Sequence, residues 1–159
     1  MRTAITPFLW FDDQAEEAAR FYCSVFPNSR LLSLQRYGEA GPGRPGSVMT
    51  ARFELDGHPF VALNGGPVPF ELNEAVSFVI DCADQAEVDR YWETLTDGGA
   101  PIACGWLKDR FGLRWQVVPI ELHTLLADPD PGRAQRVTEA MLQMTRLDVA
   151  ALRAAADGA

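Results

Sequence analysis

The residues best suited to chemistry lie on strand-like segments between residues 75 and 118. Ser77, Cys104, Arg114 and Gln116 carry hydroxyl, thiol, guanidinium and carboxamide groups, and Trp106 adds an aromatic ring. Such groups can hold a small molecule through hydrogen bonds, an ion pair and ring stacking. They do not form a constellation of strong acid, base or metal ligands, so the set favours binding over catalysis.

The two histidines do not extend this set into a catalytic centre. His58 follows a glycine in a predicted hairpin turn, and His123 lies in a predicted helix. A hydrolytic triad needs a Ser or Cys at a sensible spacing from them, and none is present. Free thiols in a reducing compartment are expected of the three cysteines, which form no C-x-x-C pair: Cys23, Cys82 and Cys104.

The segment from Gly41 to Gly46 matches the pattern G-x-G-x-x-G. Dinucleotide binding needs that pattern to open a helix whose amides hold a pyrophosphate. Two prolines remove amide donors here, and residues 47–53 read as a strand. We therefore expect a mobile loop at the rim of a module, without a nucleotide.

Composition limits the possible partners. The chain has 159 residues, a formal charge of −8 and close to half apolar residues, which suits one compact domain with a core. The negative charge argues against nucleic acid, whose phosphates are bound by Lys and Arg. No long basic face, apolar span or signal peptide is present, so we predict a soluble cytoplasmic protein without membrane contact.

An internal duplication defines the architecture. Gly57 and Gly112 each sit in a turn between two short strands, and the sequence Asp-Gln-Ala-Glu opens a helix at both Asp13 and Asp84. The same order of predicted elements, one strand, one helix and three strands, occurs twice along the chain. It predicts two β-α-β-β-β modules. The predicted class is α+β: a curled mixed sheet around a cleft, helices outside, and a helical C-terminal tail.

We predict a single domain over residues 1–159, with modules 4–66 and 74–118 and a tail 119–159. Asp12 or Asp13 is the predicted cap of the first helix. The predicted strands cover residues 4–11, 30–37, 47–55, 59–64, 75–82, 101–108 and 113–118. The predicted helices cover residues 13–26, 84–96, 121–127, 131–144 and 148–156.

This arrangement resembles the vicinal oxygen chelate superfamily, which includes glyoxalase I, extradiol dioxygenases and the bleomycin- and fosfomycin-resistance proteins. Closer likeness to the PhnB-like branch comes from residues 6–11, from Ala15-Glu16-Glu17-Ala18 with Phe21-Tyr22, and from residues 61–66 and 104–113. The resemblance extends over residues 5–118 and, through 128–131 and 141–144, into the tail. Members of the branch are often named 3-demethylubiquinone-9 3-methyltransferase.

The resemblance implies two four-stranded sheets around a cleft, with His or Glu metal ligands on the first and last strand of each module. Alignment places Pro7, Val61, Ser77 and Gln116 near those positions. One carboxamide cannot assemble a transition-metal site, so we expect no metal and no cofactor. The methyltransferase name is also disfavoured, because the glycine-rich segment precedes a strand and the hairpins favour antiparallel neighbours.

Strand alternation predicts the walls of the cleft, because residues two apart share a face. The expected ligand-binding residues are Leu9, Phe11, Leu63, Ser77, Cys104, Trp106, Arg114 and Gln116. We expect Arg114 to pair an anionic substituent, Gln116 to orient a carbonyl or hydroxyl, and Trp106 to stack on a ring. A cleft filled by its own side chains is the alternative.

Two functions remain open. One is a metal-free binding protein for a small apolar or aromatic compound; the other is a metal-independent lyase, isomerase or transferase of the same fold. A homodimer is also predicted, because one small domain is not expected to cover the apolar set of the tail. That set is Val137, Met141, Leu142, Met144, Val149 and Leu152.

Overall fold

The computed structural model describes residues 5–159, so the predicted strand residue Ala4 lies outside the described residues. The chain divides into two compact units, the first ending at Glu71 and the second running from Leu72 to Ala159. The predicted single domain, with its module boundaries, stays a prediction. The first unit contains β1 (Phe8–Phe11), α1 (Ala15–Val25), β2 (Arg30–Arg36), β3 (Val48–Leu55) and β4 (His58–Asn64).

The second unit repeats this order and adds three helices. Its repeated part contains β5 (Phe78–Cys82), α2 (Gln85–Thr96), β6 (Ala100–Pro101), β7 (Trp106–Lys108) and β8 (Arg114–Pro119). Its tail contains α3 (Ile120–Leu126), α4 (Pro131–Leu142) and α5 (Val149–Asp157). No helix within residues 5–159 is long and apolar enough to cross a membrane.

The two sheets share one topology. Their strand orders are β1-β4-β3-β2 and β5-β8-β7-β6. The pairs β1–β4 and β5–β8 are parallel, and the other neighbours are antiparallel. Gly57 and Gly112 turn the hairpins with φ of 76° and 91°, a region that suits glycine. The predicted α+β class, with duplicated β-α-β-β-β modules and a helical tail, is confirmed.

In the first unit, α1 covers one face of its sheet. Ala15, Ala18, Ala19 and Tyr22 are buried on the helix, and the Tyr22 ring stacks at 6.3 Å on Phe53. Small alanines let the helix approach the strands closely, which keeps the core packed without voids.

The predicted cap of α1 is wrong. Gln14, not Asp12 or Asp13, is the N-cap, and its side chain makes no capping hydrogen bond. The Ala15 N–H instead donates to Asn64 Oδ1 at 2.7 Å. Asn64, 49 positions further along the chain, thus accepts the hydrogen bond of the first N–H group of the helix. Local sequence patterns do not reveal a partner at that separation.

In the second unit, a buried carboxyl group organises the Gly112 hairpin. Asp109 is 1% exposed. Its Oδ1 accepts the N–H groups of Phe111 and Leu113 at 2.8 and 3.0 Å, and its Oδ2 accepts the Trp115 indole N–H at 2.8 Å. The side chain thus satisfies the turn and holds the first buried residue of β8.

The tail helices cover most of their own apolar residues. Val137, Leu147 and Leu152 form a buried cluster with Val118 and Leu122, and Met141 and Met144 pack against it. Leu142 alone among the six predicted residues is counted as exposed, at 57%. The expectation that the tail leaves this set uncovered is wrong, because three short helices can bury one another's apolar stripes.

We predict that Asp109→Asn lowers the free energy of unfolding by about 2–3 kcal/mol, because an amide cannot accept all three buried N–H groups. Urea denaturation followed by tryptophan fluorescence measures the change. The control is Asp13→Asn at an exposed position, for which about 0.5 kcal/mol or less is expected. Equal stability of the two variants would contradict the role of Asp109.

Candidate functional site

The structure separates the predicted site residues of the first unit. Leu9 pairs with Ala62, and Phe11 pairs with Asn64, whose side chain caps α1. Both Leu9 and Phe11 are buried, at 6% and 5% exposure, on the face that α1 covers. Leu63 lies on the other face, because neighbours along a strand alternate. Alternation predicted that Leu9 and Phe11 share a face, but not that the helix covers it.

The open face of the second sheet brings three predicted residues together. Gln116 on β8 is flanked by Trp106 on β7 and by Val79 on β5, and register neighbours share a face. The Gln116 Nε2 group donates to Ser77 Oγ at 3.0 Å. Trp106, Gln116 and Ser77 are half-buried, whereas Val79 is 52% exposed. We call these four residues the Gln116 cluster.

The inward side of the same strands explains why this cluster faces outward. Leu107, Trp115 and Val117 are almost fully buried, and the Trp115 ring lies 5.6 Å from that of Phe78. With these side chains in the core, alternation turns Trp106 and Gln116 to the opposite face. Sequence reasoning missed Val79, although its place beside Gln116 follows from the parallel pairing of β5 with β8.

Arg114 has partners of its own. Its Nε donates to Glu74 Oε1 at 3.0 Å, and its Nη1 donates to the carbonyl oxygens of Leu72 and Gly112. The hydrogen bond at its own amide and the Arg114 guanidinium lower the pKa of Glu74, so this carboxylate stays ionised beside the arginine. An anionic ligand would have to displace Glu74, which does not favour the predicted anion-pairing role.

Cys104 does not lie on a strand, and the predicted strand over 101–108 is interrupted. Cys104 has φ of 57°, and its N–H donates at 2.8 Å to the Met144 carbonyl. The Gly105 N–H likewise donates to the Thr145 carbonyl. These bonds to the tail take both amides away from the ladder, leaving β6 and β7 as two short strands. The expectation that Cys104 lies in a strand is therefore wrong, while its place among the ligand-binding residues stays a prediction.

A metal site of the superfamily type does not fit these residues. On the faces away from the helices, Phe8 pairs with Val61 and Val79 pairs with Gln116. In this register Phe8, not Pro7, shares a face with Val61, and Val79, two residues along from Ser77, shares a face with Gln116. Three of these four side chains are apolar, and a transition metal needs N, O or S donors. Within residues 5–159, no group of three or more His, Cys, Asp or Glu could hold a metal ion.

A cavity of about 410 Å³ lies in the first unit, and none of the predicted ligand-binding residues lines it. Its walls include the carboxylates of Asp12, Asp13 and Glu16, the Tyr37 ring and Arg44. The glycine-rich segment contributes Gly43 and is followed by β3, a strand. Three carboxylates against one guanidinium make a poor phosphate site, so the structure agrees with the sequence in disfavouring a dinucleotide there.

Comparison with known proteins gives the family. The sequence profile of the 3-demethylubiquinone-9 3-methyltransferase family matches residues 3–118. A PhnB protein from Bacillus cereus, itself described as a putative 3-demethylubiquinone-9 3-methyltransferase, is 34% identical with a TM-score of 0.68. The match covers 74% of this chain and 99% of that chain. The fold is that of the vicinal oxygen chelate superfamily, and the chain belongs to its PhnB-like, 3-demethylubiquinone-9 3-methyltransferase family.

More distant structures share the fold. A protein from Pseudomonas aeruginosa is 24% identical with a TM-score of 0.60, covering 73% of this chain and 96% of that chain. The fosfomycin resistance protein FosX from Mesorhizobium loti is 16% identical with a TM-score of 0.57, covering 80% of this chain and 99% of that chain. No curated protein sequence matched the chain.

The methyltransferase description implies S-adenosylmethionine, and the residues present do not fit it. That cofactor usually sits on a glycine-rich turn between a strand and a helix in an open parallel sheet. Here the segment Gly41 to Gly46 lies between β2 and β3, which pair antiparallel.

Proposed function

We propose that the protein is a metal-free binding protein for a small apolar or aromatic compound, held on the open face of the second sheet. The Gln116 cluster carries the proposal: one oriented carboxamide stands between the Trp106 ring and the exposed Val79 side chain. Mostly apolar walls with a few polar groups are typical of small-molecule sites.

Ser77 supports the proposal by orienting the polar group. Its Oγ accepts a hydrogen bond from Gln116 Nε2 at 3.0 Å. This bond restricts the rotamers of the Gln116 side chain before a ligand binds, so less conformational entropy is lost on binding. The Trp106 ring offers a surface on which an aromatic ligand can stack, which adds about 0.5–1.5 kcal/mol beyond area burial. Together these groups give affinity for a ring and orientation for its substituent.

We predict that the purified protein contains no stoichiometric Zn, Ni, Mn or Fe. The residues paired on the open faces, Phe8 with Val61 and Val79 with Gln116, provide too few donors. Elemental analysis of protein purified without a metal-affinity tag measures the content. One equivalent of any of these metals, retained after dialysis against a chelator, would overturn the metal-free part of the proposal.

Replacement of Trp106 tests the site itself. We predict that Trp106→Ala weakens binding of aromatic compounds at least tenfold and lowers the free energy of unfolding by about 1 kcal/mol, since the side chain is half-buried. A core tryptophan would cost about 3–5 kcal/mol. Ligand-observed NMR and urea denaturation measure the two quantities. A large loss of stability, with no aromatic compound shifting the melting temperature of the wild type, would show that Trp106 belongs to the core.

A homodimer is the second part of the proposal, and its support moves from the tail to the first sheet. Phe8 is 59% exposed, although it lies in a strand, and an exposed aromatic side chain there can contribute to an apolar interface with a second copy. We expect multi-angle light scattering at tens of micromolar, about the range of moderate affinities, to give twice the mass of the chain. A monomer throughout that range would contradict the dimer without affecting the Gln116 cluster.

A further inference from the structure

The Gln116 and Ser77 side chains leave one acceptor and one donor uncommitted. The Gln116 Nε2 group donates to Ser77 Oγ, so the hydroxyl accepts this bond and its own hydrogen must point elsewhere. Within residues 5–159, Gln116 Oε1 accepts no hydrogen bond and the Ser77 O–H has no acceptor. A carbonyl oxygen and a hydroxyl hydrogen therefore stand close together on the open face.

The surroundings of this pair are apolar on both sides. Trp106 and Val79 flank Gln116 across the two neighbouring strands. A ligand that lies over them removes water from the two polar groups, and unpaired polar groups that lose water cost about 1–3 kcal/mol each. A bound ligand must therefore supply a donor to Gln116 and an acceptor to Ser77.

The nearby charges already have partners or face solvent. Arg114, two residues along β8, is paired with Glu74. Asp81, two residues along β5, contacts His123 at 2.9 Å. Lys108 is exposed, where water screens its charge. The site is consequently better suited to a neutral group than to a carboxylate or an ammonium group.

We propose that the ligand carries a neutral group that both donates and accepts a hydrogen bond, a carboxamide, a lactam or a hydroxyl, attached to an aromatic ring. This inference rests on the proposed function and names the chemical class that the same site selects. The ring stacks on Trp106, its polar group donates to Gln116 Oε1, and its oxygen accepts from the Ser77 hydroxyl.

The test compares two probes that share an aromatic ring and a carbonyl oxygen, one with two N–H donors and the other with two N-methyl groups in their place. Benzamide donates and accepts, whereas N,N-dimethylbenzamide only accepts, and both carry the same ring. Ligand-observed NMR titrations give their dissociation constants for the wild type, Gln116→Leu, Trp106→Ala and the control Gln35→Leu. Gln35 is an exposed glutamine on β2 of the other sheet, so its replacement matches the chemistry of Gln116→Leu outside the Gln116 cluster.

We expect the wild type and Gln35→Leu to bind benzamide roughly threefold to tenfold more tightly than N,N-dimethylbenzamide, as one hydrogen bond provides. In Gln116→Leu that ratio should fall to about one, and Trp106→Ala should weaken both probes. If Trp106→Ala does not fold, Val79→Glu replaces it, since Val79 is 52% exposed and a charge beside Gln116 disfavours the ring.

The failure of this inference is distinguishable from that of the proposed function. Binding that depends on Trp106 or Val79, with equal affinity for the two probes in the wild type, would overturn the hydrogen-bond class and leave the binding site in place. A preference for benzamide that survives in Gln116→Leu would overturn the inference in the same way. If neither Trp106→Ala nor Val79→Glu weakens binding of the probes, or if neither probe binds, both the inference and the proposed function are overturned.

Discussion

The buried carboxyl of Asp109 holds the second sheet in the arrangement on which the open face depends. One side chain accepts two backbone N–H groups of the turn and the indole N–H of Trp115. A buried carboxyl group is costly unless it is hydrogen-bonded, and here three donors satisfy it. Because the same group fixes the Gly112 turn and the first inward residue of β8, it sets which residues of that strand face the core.

The arrangement of side chains on the open face follows from this orientation of β8. With Trp115 and Val117 inward, Gln116 must face outward, and the antiparallel register brings Trp106 beside it. The parallel partner β5 adds Val79 on the other side. Fixed side chains on strands position a ligand better than side chains on loops, so the cluster is suited to selecting a shape as well as a polarity.

The resemblance to the superfamily implies metal ligands on the first and last strand of each module. At the paired positions on the faces away from the helices, Phe8, Val61 and Val79 are apolar, and Gln116 has a single carboxamide oxygen. A metal binds by charge and coordination, whereas an apolar surface with one oriented amide binds by area and hydrogen bonding. The same backbone can therefore support recognition of a different kind, which is why membership of the family does not by itself assign an activity.

Much of the fold could be predicted from the sequence, because the duplication, the hairpin glycines and the alternation of apolar residues are local patterns. Asp84 is an example: the sequence predicts it at the start of the second helix, and its side chain caps that helix. The cap of α1 could not be predicted, since Asn64 reaches it only after β4 has paired with β1.

For the candidate site too, some features could be predicted from the sequence and others depend on the tertiary structure. The sequence by itself determined that Trp106, Ser77 and Gln116 are candidate ligand-binding residues of the second module. Only the tertiary structure decided that Leu9 and Phe11 face α1, that Cys104 leaves its strand to bond the tail, and that Arg114 is paired with Glu74. The reason is physical: alternation tells which residues share a face, but the packing of distant segments decides which face is covered.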